Sequence, residues 1–265
     1  MIKYKISMNL RQRIKKLIGK AIFGYNLLDE GDRILIALSG GEDSLLLTHF
    51  LSEWRYYYNK NLLLYAIHLD MGFPKEEGEY HRKINYLKTF CEEREVNFIF
   101  EKTEIANIVL EAFDTGSSAP CFICSWNRRK IFFNLAKDLD IKKIAFGHNK
   151  DDVISTFFMN MFYNGELSTM LPKQEMFKGA LFLIRPLYFV EKDMISRFIM
   201  KENWQVLENP CPFSRDTKRS FWNNFLKEHF FSKNPILKRN VFSAIFNPRL
   251  EYLPKKPGKE KDSPQ

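Results

Sequence analysis

Ser39-Gly40-Gly41-Glu42-Asp43-Ser44 joins an apolar stretch, Arg33–Leu38, to a run that reads as a helix from Leu45 onward. Two adjacent glycines allow a tight turn with no side chain between the backbone and a ligand. The N–H groups that follow, at a first helical turn, form a concave donor set for an anion, and the hydroxyls of Ser39 and Ser44 can add to it. The pattern is neither the GxxxxGK[ST] phosphate loop nor the GxGxxG dinucleotide turn. Asp43 would repel a phosphate unless magnesium intervened or its carboxylate turned inward to hold the loop. The plain alternative is an ordinary strand-to-helix turn.

A second constellation, Gly147-His148-Asn149-Lys150-Asp151-Asp152, leaves another apolar strand and enters a helix. Adjacent carboxylates beside His148 and Lys150 suit nucleotide phosphates and a divalent ion, with Asp43 and Asp152 as magnesium ligands and Lys150 neutralising charge. Alternatively, Asp151 caps the helix and Asp152 is a first-turn acid. His68 and Asp70, at the end of the strand Leu62–Leu69, would border a nucleoside pocket.

Sulfur chemistry is the third possibility. Cys121 and Cys124 stand at C-x2-C spacing before Ser125-Trp126-Asn127-Arg128-Arg129-Lys130, and Cys211 lies between Pro210 and Pro212. A helix N-terminus with arginines nearby favours thiolates, and two prolines make Cys211 a rigid ligand arm. Cys91, beside Leu87 and Phe90 on a helix, reads as buried and inert. Three thiolates suit a [4Fe-4S] cluster with one open iron; a zinc site completed by histidine and persulfide or disulfide chemistry are the rivals.

These residues need a frame. Apolar strands at 33–38, 62–69, 96–100, 143–147 and 181–185 alternate with helices at 77–95, 125–139 and 151–163. Such alternation predicts an α/β fold, a doubly wound and mostly parallel sheet whose strand C-termini share one edge. The reading divides the chain into a basic N-terminal helical segment (1–30, with a helix over 8–28), a nucleotide domain (31–190), a C-terminal helical appendage (191–250, helices at 191–203 and 217–230) and a disordered tail (251–265).

Composition narrows the class. The chain has 265 residues, 45% hydrophobic, and a net charge of +9. Residues 1–30 carry seven Lys/Arg against two Asp/Glu, and 215–265 carry twelve against five, so the basic excess sits at both ends and points to nucleic acid. No run approaches a transmembrane length and the start lacks a signal-peptide core, which predicts a soluble, cytoplasmic protein without a membrane partner. Four cysteines are too few for a disulfide-built fold.

The SGGxDS pattern resembles the signature of the PP-loop ATP pyrophosphatase superfamily, an adenine nucleotide alpha hydrolase-like fold. Glu42 stands where relatives often carry Lys. Together with CFICSWNRR (121–129), IAFGHNKDD (144–152), FFMNMFYNGELSTMLP (157–172), IRPL (184–187) and NPCPFS (209–214), the chain resembles the tRNA 2-thiocytidine synthetase family over roughly residues 8–250. The resemblance implies a homodimer that uses ATP, Mg2+ and a [4Fe-4S] cluster on Cys121, Cys124 and Cys211 to thiolate cytidine 32 of tRNA. A cysteine desulfurase or similar enzyme would donate the sulfur. Many relatives carry a further cysteine where this chain has Ser214, outside the usual ligand set. Arg11, Arg13, Lys15, Lys16, Arg128, Arg129, Lys218, Arg219, Lys238 and Arg239 would then neutralise the RNA backbone. Competing readings are a uridine 2-thiolase or lysidine-synthetase-like enzyme, a noncatalytic RNA-binding protein, and a small-molecule sulfur enzyme.

Overall fold

The computed structural model describes residues 9–57, 61–74, 76–116, 120–214 and 217–254. Residues 1–8, Arg215 and the expected tail beyond residue 254 lie outside the described residues. Asn9 opens the first helix, α1 (Leu10–Gly24), through a capping box in which its side chain and that of Gln12 each accept the other's backbone N–H. Ile14, Ile18, Ala21 and Ile22 recur at helical spacing and are buried, so α1 is docked. It is shorter than the expected 8–28.

Then follow β1 (Arg33–Ala37), α2 (Glu42–Tyr57), β2 (Leu63–Asp70), α3 (Glu77–Glu92), β3 (Asn97–Lys102), α4 (Ile105–Asp114), α5 (Pro120–Asp138), β4 (Lys143–Ala145), α6 (Lys150–Met159), β5 (Lys173–Met176), β6 (Leu181–Ile184), α7 (Lys192–Glu202), α8 (Lys218–Leu226) and α9 (Pro235–Ala244). One-turn π segments extend α6 over Asn160–Asn164 and α8 over Lys227–Phe231. The order in the six-stranded sheet is β3-β2-β1-β4-β6-β5, and every pairing is parallel except β5 with β6. This is the doubly wound sheet expected. The helix α4, the edge strand β5 and α9 were not anticipated, and α5 starts at Pro120, which puts both cysteines of the C-x2-C inside the N-terminal end of the helix.

Strand alternation divides the core. Ile34, Ile36, Leu64, Ala66 and Ile184 pack on one face with residues of α1, α2, α3, α6 and α7, and Trp222, Leu226 and Phe242 bring α8 and α9 into the same cluster. Leu35, Ile67, Ile144 and Leu183 point the other way, onto Phe132 and Ala136 of α5. Each such fully buried aliphatic contributes about 2 kcal/mol. Because strand order reverses between β1 and β4, their C-terminal loops diverge around a crevice, the place where such sheets bind ligands. No helix of the described residues is long and apolar enough to cross a membrane.

Candidate active site

The turn after β1 is built by its own hydroxyls. Ser44 Oγ accepts from Gly40 N (3.1 Å) and donates to Gly41 O (2.9 Å), while Ser39 Oγ accepts from Gly41 N (3.3 Å). Ser44 therefore spends its proton on the turn, so it shapes the anion site and adds no donor to it. The donors that remain belong to the first turn of α2, whose N–H groups have no intrahelical partner.

The crevice brings the second constellation against this turn. A Cβ on Gly147 would lie 3.0 Å from the Asp43 carbonyl carbon, so only glycine allows the two loops to approach so closely. Asn149 Nδ2 donates to Asp43 Oδ1 (3.0 Å), and Asn149 Oδ1 caps α6 by accepting from the N–H groups of Asp151 (2.9 Å) and Asp152 (3.3 Å). Asp152 Oδ2 returns the bond to Asn149 N at 3.0 Å. Thus Asn149, not Asp151, is the cap.

Two expectations need correction. Asp43 is turned inward, with its second oxygen accepting from Lys192 Nζ at 2.8 Å, so Asp43 and Asp152 do not form an open two-carboxylate magnesium site. Burial raises the pKa of Asp152 and Asp43 adds to the effect, against Arg219. Lys150 is not at the phosphate turn: its Nζ is bound to Glu191 Oε1 at 2.8 Å and lies 5.2 Å over the Phe242 ring. The cation beside the turn is Lys192 of α7, which also reaches Glu42 Oε2 at 3.0 Å. Its ammonium pKa is raised: burial opposes this, but Asp43 and Glu42 outweigh burial. His148 is held neutral by burial and by Arg185, Arg219, Arg128 and Arg129, which push its pKa well down.

A cavity of about 260 Å³ opens at the C-terminal ends of β1 and β2. Ala37, Leu38, Ile67 and Leu69 give it an apolar floor, and Ser39, Gly41, His68, Asp70 and Arg128 bring polar groups to it. His68 Nδ1 lies 2.9 Å from Leu38 O and Asp70 Oδ1 accepts from Gly72 N at 2.9 Å, so both side chains are fixed in place. Tyr80 lines the same space; burial and the Asp70 carboxylate raise its phenol pKa. Gly147, His148 and Asp152 stand behind the turn and do not line the cavity.

The segment Leu207–Pro210 forms the opposite wall and leads directly to the third cysteine. Leu207 N donates to Gly40 O at 2.9 Å, and Gly40 sits at φ +83° with Leu207 side-chain carbons only 2.8 Å from where a Cβ would be. Beyond it, Asn209 Oδ1 accepts from Cys211 N (3.1 Å), and Phe213 meets Phe113 of α4 with ring centroids 4.9 Å apart. Cys211 is near enough to Cys121 and Cys124 for its charge to act on both: burial raises their pKa values, Cys211 raises them further, and Arg128 opposes the rise at Cys124. The net direction is upward, contrary to the expectation that helix and arginines would favour thiolate. Three soft donors that repel one another when ionised fit a cationic iron–sulfur cluster, which removes that repulsion. Among the described residues no three His, Cys, Asp or Glu side chains gather closely enough to hold a single metal ion. Cys91 is buried, its thiol pushed up to about 12.

The expected RNA-binding residues divide into two groups. Arg11 and Lys15 pair with Glu53, and Lys238 pairs with Asp151 at 2.6 Å, so these are committed within the protein. Arg128 is close enough to Cys124 for its charge to act on the thiol, and Arg219 acts likewise on Asp152 and His148. Arg13, Lys16, Arg129, Lys218 and Arg239 are exposed, with Lys218 Nζ 4.2 Å over Tyr163.

The model of the PP-loop domain matches residues 6–230. A tRNA-cytidine(32) 2-sulfurtransferase of Geotalea uraniireducens is 34% identical over 254 residues, covering 94% of this chain and 96% of that protein. One from Syntrophotalea carbinolica is 36% identical over 252 residues, covering 92% of each. Among solved structures, the U34-tRNA thiolase NcsA from Methanococcus maripaludis with its [4Fe-4S] cluster superposes with a TM-score of 0.69 at 24% identity, covering 92% of this chain and 80% of that one, a likeness of fold. The similarity thus runs over nearly the full length of such relatives, and the chain belongs to the PP-loop family and, within it, to the tRNA-cytidine(32) 2-sulfurtransferases.

Proposed function

We propose that this chain is an ATP-dependent tRNA cytidine 2-sulfurtransferase that replaces the C2 oxygen of cytidine 32 with sulfur. The observation that carries the reading is the Leu207–Gly40 hydrogen bond, which ties the arm of Cys211 to the ATP turn at 2.9 Å while Arg128, one helical turn beyond Cys124, lines the same cavity. The three cysteines do not line the cavity themselves, but their supports Pro210 and Arg128 do, which favours nucleotide and sulfur chemistry in adjoining spaces.

Oxygen leaves a pyrimidine C2 poorly. Attack of that oxygen on the α-phosphate of ATP expels pyrophosphate and converts the oxygen into part of a good leaving group, AMP. In this chain the N–H groups at the start of α2 hold phosphate oxygens, the apolar floor between β1 and β2 takes the adenine, and Arg128 offers a guanidinium to developing charge. Loss of one such donor raises the barrier by about 3 kcal/mol, roughly two orders of magnitude in rate. Lys192 offsets the acids of the turn. Cys121, Cys124 and Cys211 would hold the [4Fe-4S] cluster, which when bound supplies an iron site for a soft sulfur nucleophile. Magnesium accompanies the ATP phosphates. The substrate presents its base from an anticodon loop, where it is not locked in a duplex. The protein works as a homodimer supplied by a sulfur donor of the cysteine desulfurase kind.

Nucleoside mass spectrometry of tRNA from cells lacking the gene tests the proposal. Loss of 2-thiocytidine is expected; loss of 2-thiouridine with 2-thiocytidine retained would replace the reading with a uridine thiolase.

A further inference from the structure

The N-terminal half of α5 turns large rings outward. Phe122 is 64% exposed and Trp126 is 62% exposed, and the buried residues of the helix, Phe132 and Ala136, both lie in its C-terminal half. One exposed aromatic on a surface calls for no explanation. Here two stand at i and i+4 on one face, their rings stacked with centroids 6.5 Å apart and planes 22° from parallel. Arg129 and Lys130, both exposed, continue the same stripe at i+7 and i+8 from Phe122. Cys121, itself exposed, immediately precedes the first ring.

We propose that Phe122 and Trp126 are a stacking platform for an unpaired RNA base on the outer face of the cysteine-bearing end of α5. This rests on the function proposed above and adds a residue-level subsite to it. Flat π faces joined to cations on one helix face are the surface that single-stranded nucleic acid recognises, because every base has a face to stack and the adjoining phosphates take the charge. A duplex would offer backbone and groove edges instead, which rings do not read. On the helical wheel the rings lie about 160° around α5 from Cys124 and Arg128, so the platform occupies the face turned away from the nucleotide cavity. Charge supports the same occupant: Arg129 and Lys130 flank the rings on that face and would meet the phosphates on either side of a stacked base.

The test uses the full-length protein and a fluorescein-labelled RNA hairpin whose loop is single-stranded, with affinity read by anisotropy across a salt series. Phe122→Ala and Trp126→Ala are each expected to weaken binding about 10-fold. Trp126→Phe, which keeps a ring, is expected to stay near the wild type. The slope of log affinity against log salt is expected to be unchanged by ring removal, since rings release no counterions, and to flatten by about one unit in Arg129→Ala. Unchanged affinity in the double alanine variant overturns the platform, as does failure of the wild type to bind the hairpin. Conversion of a dimer to a monomer on ring removal, with RNA affinity kept, also overturns it and assigns the rings to a contact between copies. Formation of 2-thiocytidine by the wild type is measured in parallel. If it is absent while ring removal weakens hairpin binding, the platform stands and the functional reading falls. The reverse pattern removes the platform alone.

Discussion

Lys192 Nζ lies 2.8 Å from Asp43 Oδ2, joining the first turn of α7 to the first turn of α2 across 149 positions of sequence. The same ammonium is 3.0 Å from Glu42, and Ser196 Oγ donates to Glu42 Oε2 at 2.6 Å. Two carboxylates at the mouth of an anion site would repel a triphosphate, and Lys192 cancels much of that repulsion. A hydrogen bond to a charged group is worth about 2 kcal/mol. Lys192→Met is therefore expected to raise KM for ATP roughly 10-fold with little change in tRNA binding. Adding Glu42→Lys to that variant should restore much of the loss, which steady-state kinetics of pyrophosphate release would read; no recovery would mean that Lys192 acts only in packing α7.

Cys121→Ser, Cys124→Ser and Cys211→Ser are each expected to abolish thiolation and the iron–sulfur absorbance of anaerobically reconstituted protein, with ATP binding largely kept. Cys91→Ala should leave that absorbance intact, because Cys91 is packed in the core with its thiol pushed up to about 12. Sulfur transfer surviving in all three serine variants would remove the cluster from the mechanism.

Gly40→Ala is expected to be more damaging than its size suggests. Alanine at φ +83° is strained, and its methyl would meet Leu207 at 2.8 Å, so the turn and the cavity wall must separate. We expect loss of ATP binding together with poor cluster retention, measured by nucleotide titration and iron content on one preparation. A variant impaired in ATP binding alone would show that the Leu207 contact does not link the two sites.

His49 makes stability fall in mild acid. Burial, aided by Arg94, Arg11 and Lys15, lowers its pKa to about 3, from 6.5 in an unfolded chain. Glu53, 3.2 Å away, is already shared with Arg11 and Lys15 and does not hold a proton on the imidazole. Between these two values the unfolded state binds more protons, so stability rises with pH; the contribution is complete above 6.5 and is lost as pH falls towards 3. Urea unfolding at pH 7 and pH 5 should show a drop smaller by about 2 kcal/mol in His49→Gln. An equal drop in both proteins would place the acid sensitivity elsewhere.

How much of this was legible depends on whether the signal was local. SGGEDS and GHNKDD announce themselves because their turn glycines and polar residues follow apolar strands, and alternating elements are enough to infer that both turns leave the same edge of a parallel sheet. Pro120 also carried information: proline at the first helical position marks a helix start, and reading it would have moved the C-x2-C into α5. The segment Ile105–Asp114 is rich in β-branched residues that suit strand as well as helix, which concealed α4. The edge strand Lys173–Met176 pairs through main chain and has no apolar pattern of its own. Lys192 had no local mark at all; its role arises only when α7 folds across the start of α2.

The main-chain bond between Leu207 and Gly40 has a mechanical consequence. It fixes Leu207, four residues before Cys211, to the main chain of the turn, so a displacement of the Gly40 peptide carries the root of the Cys211 arm with it.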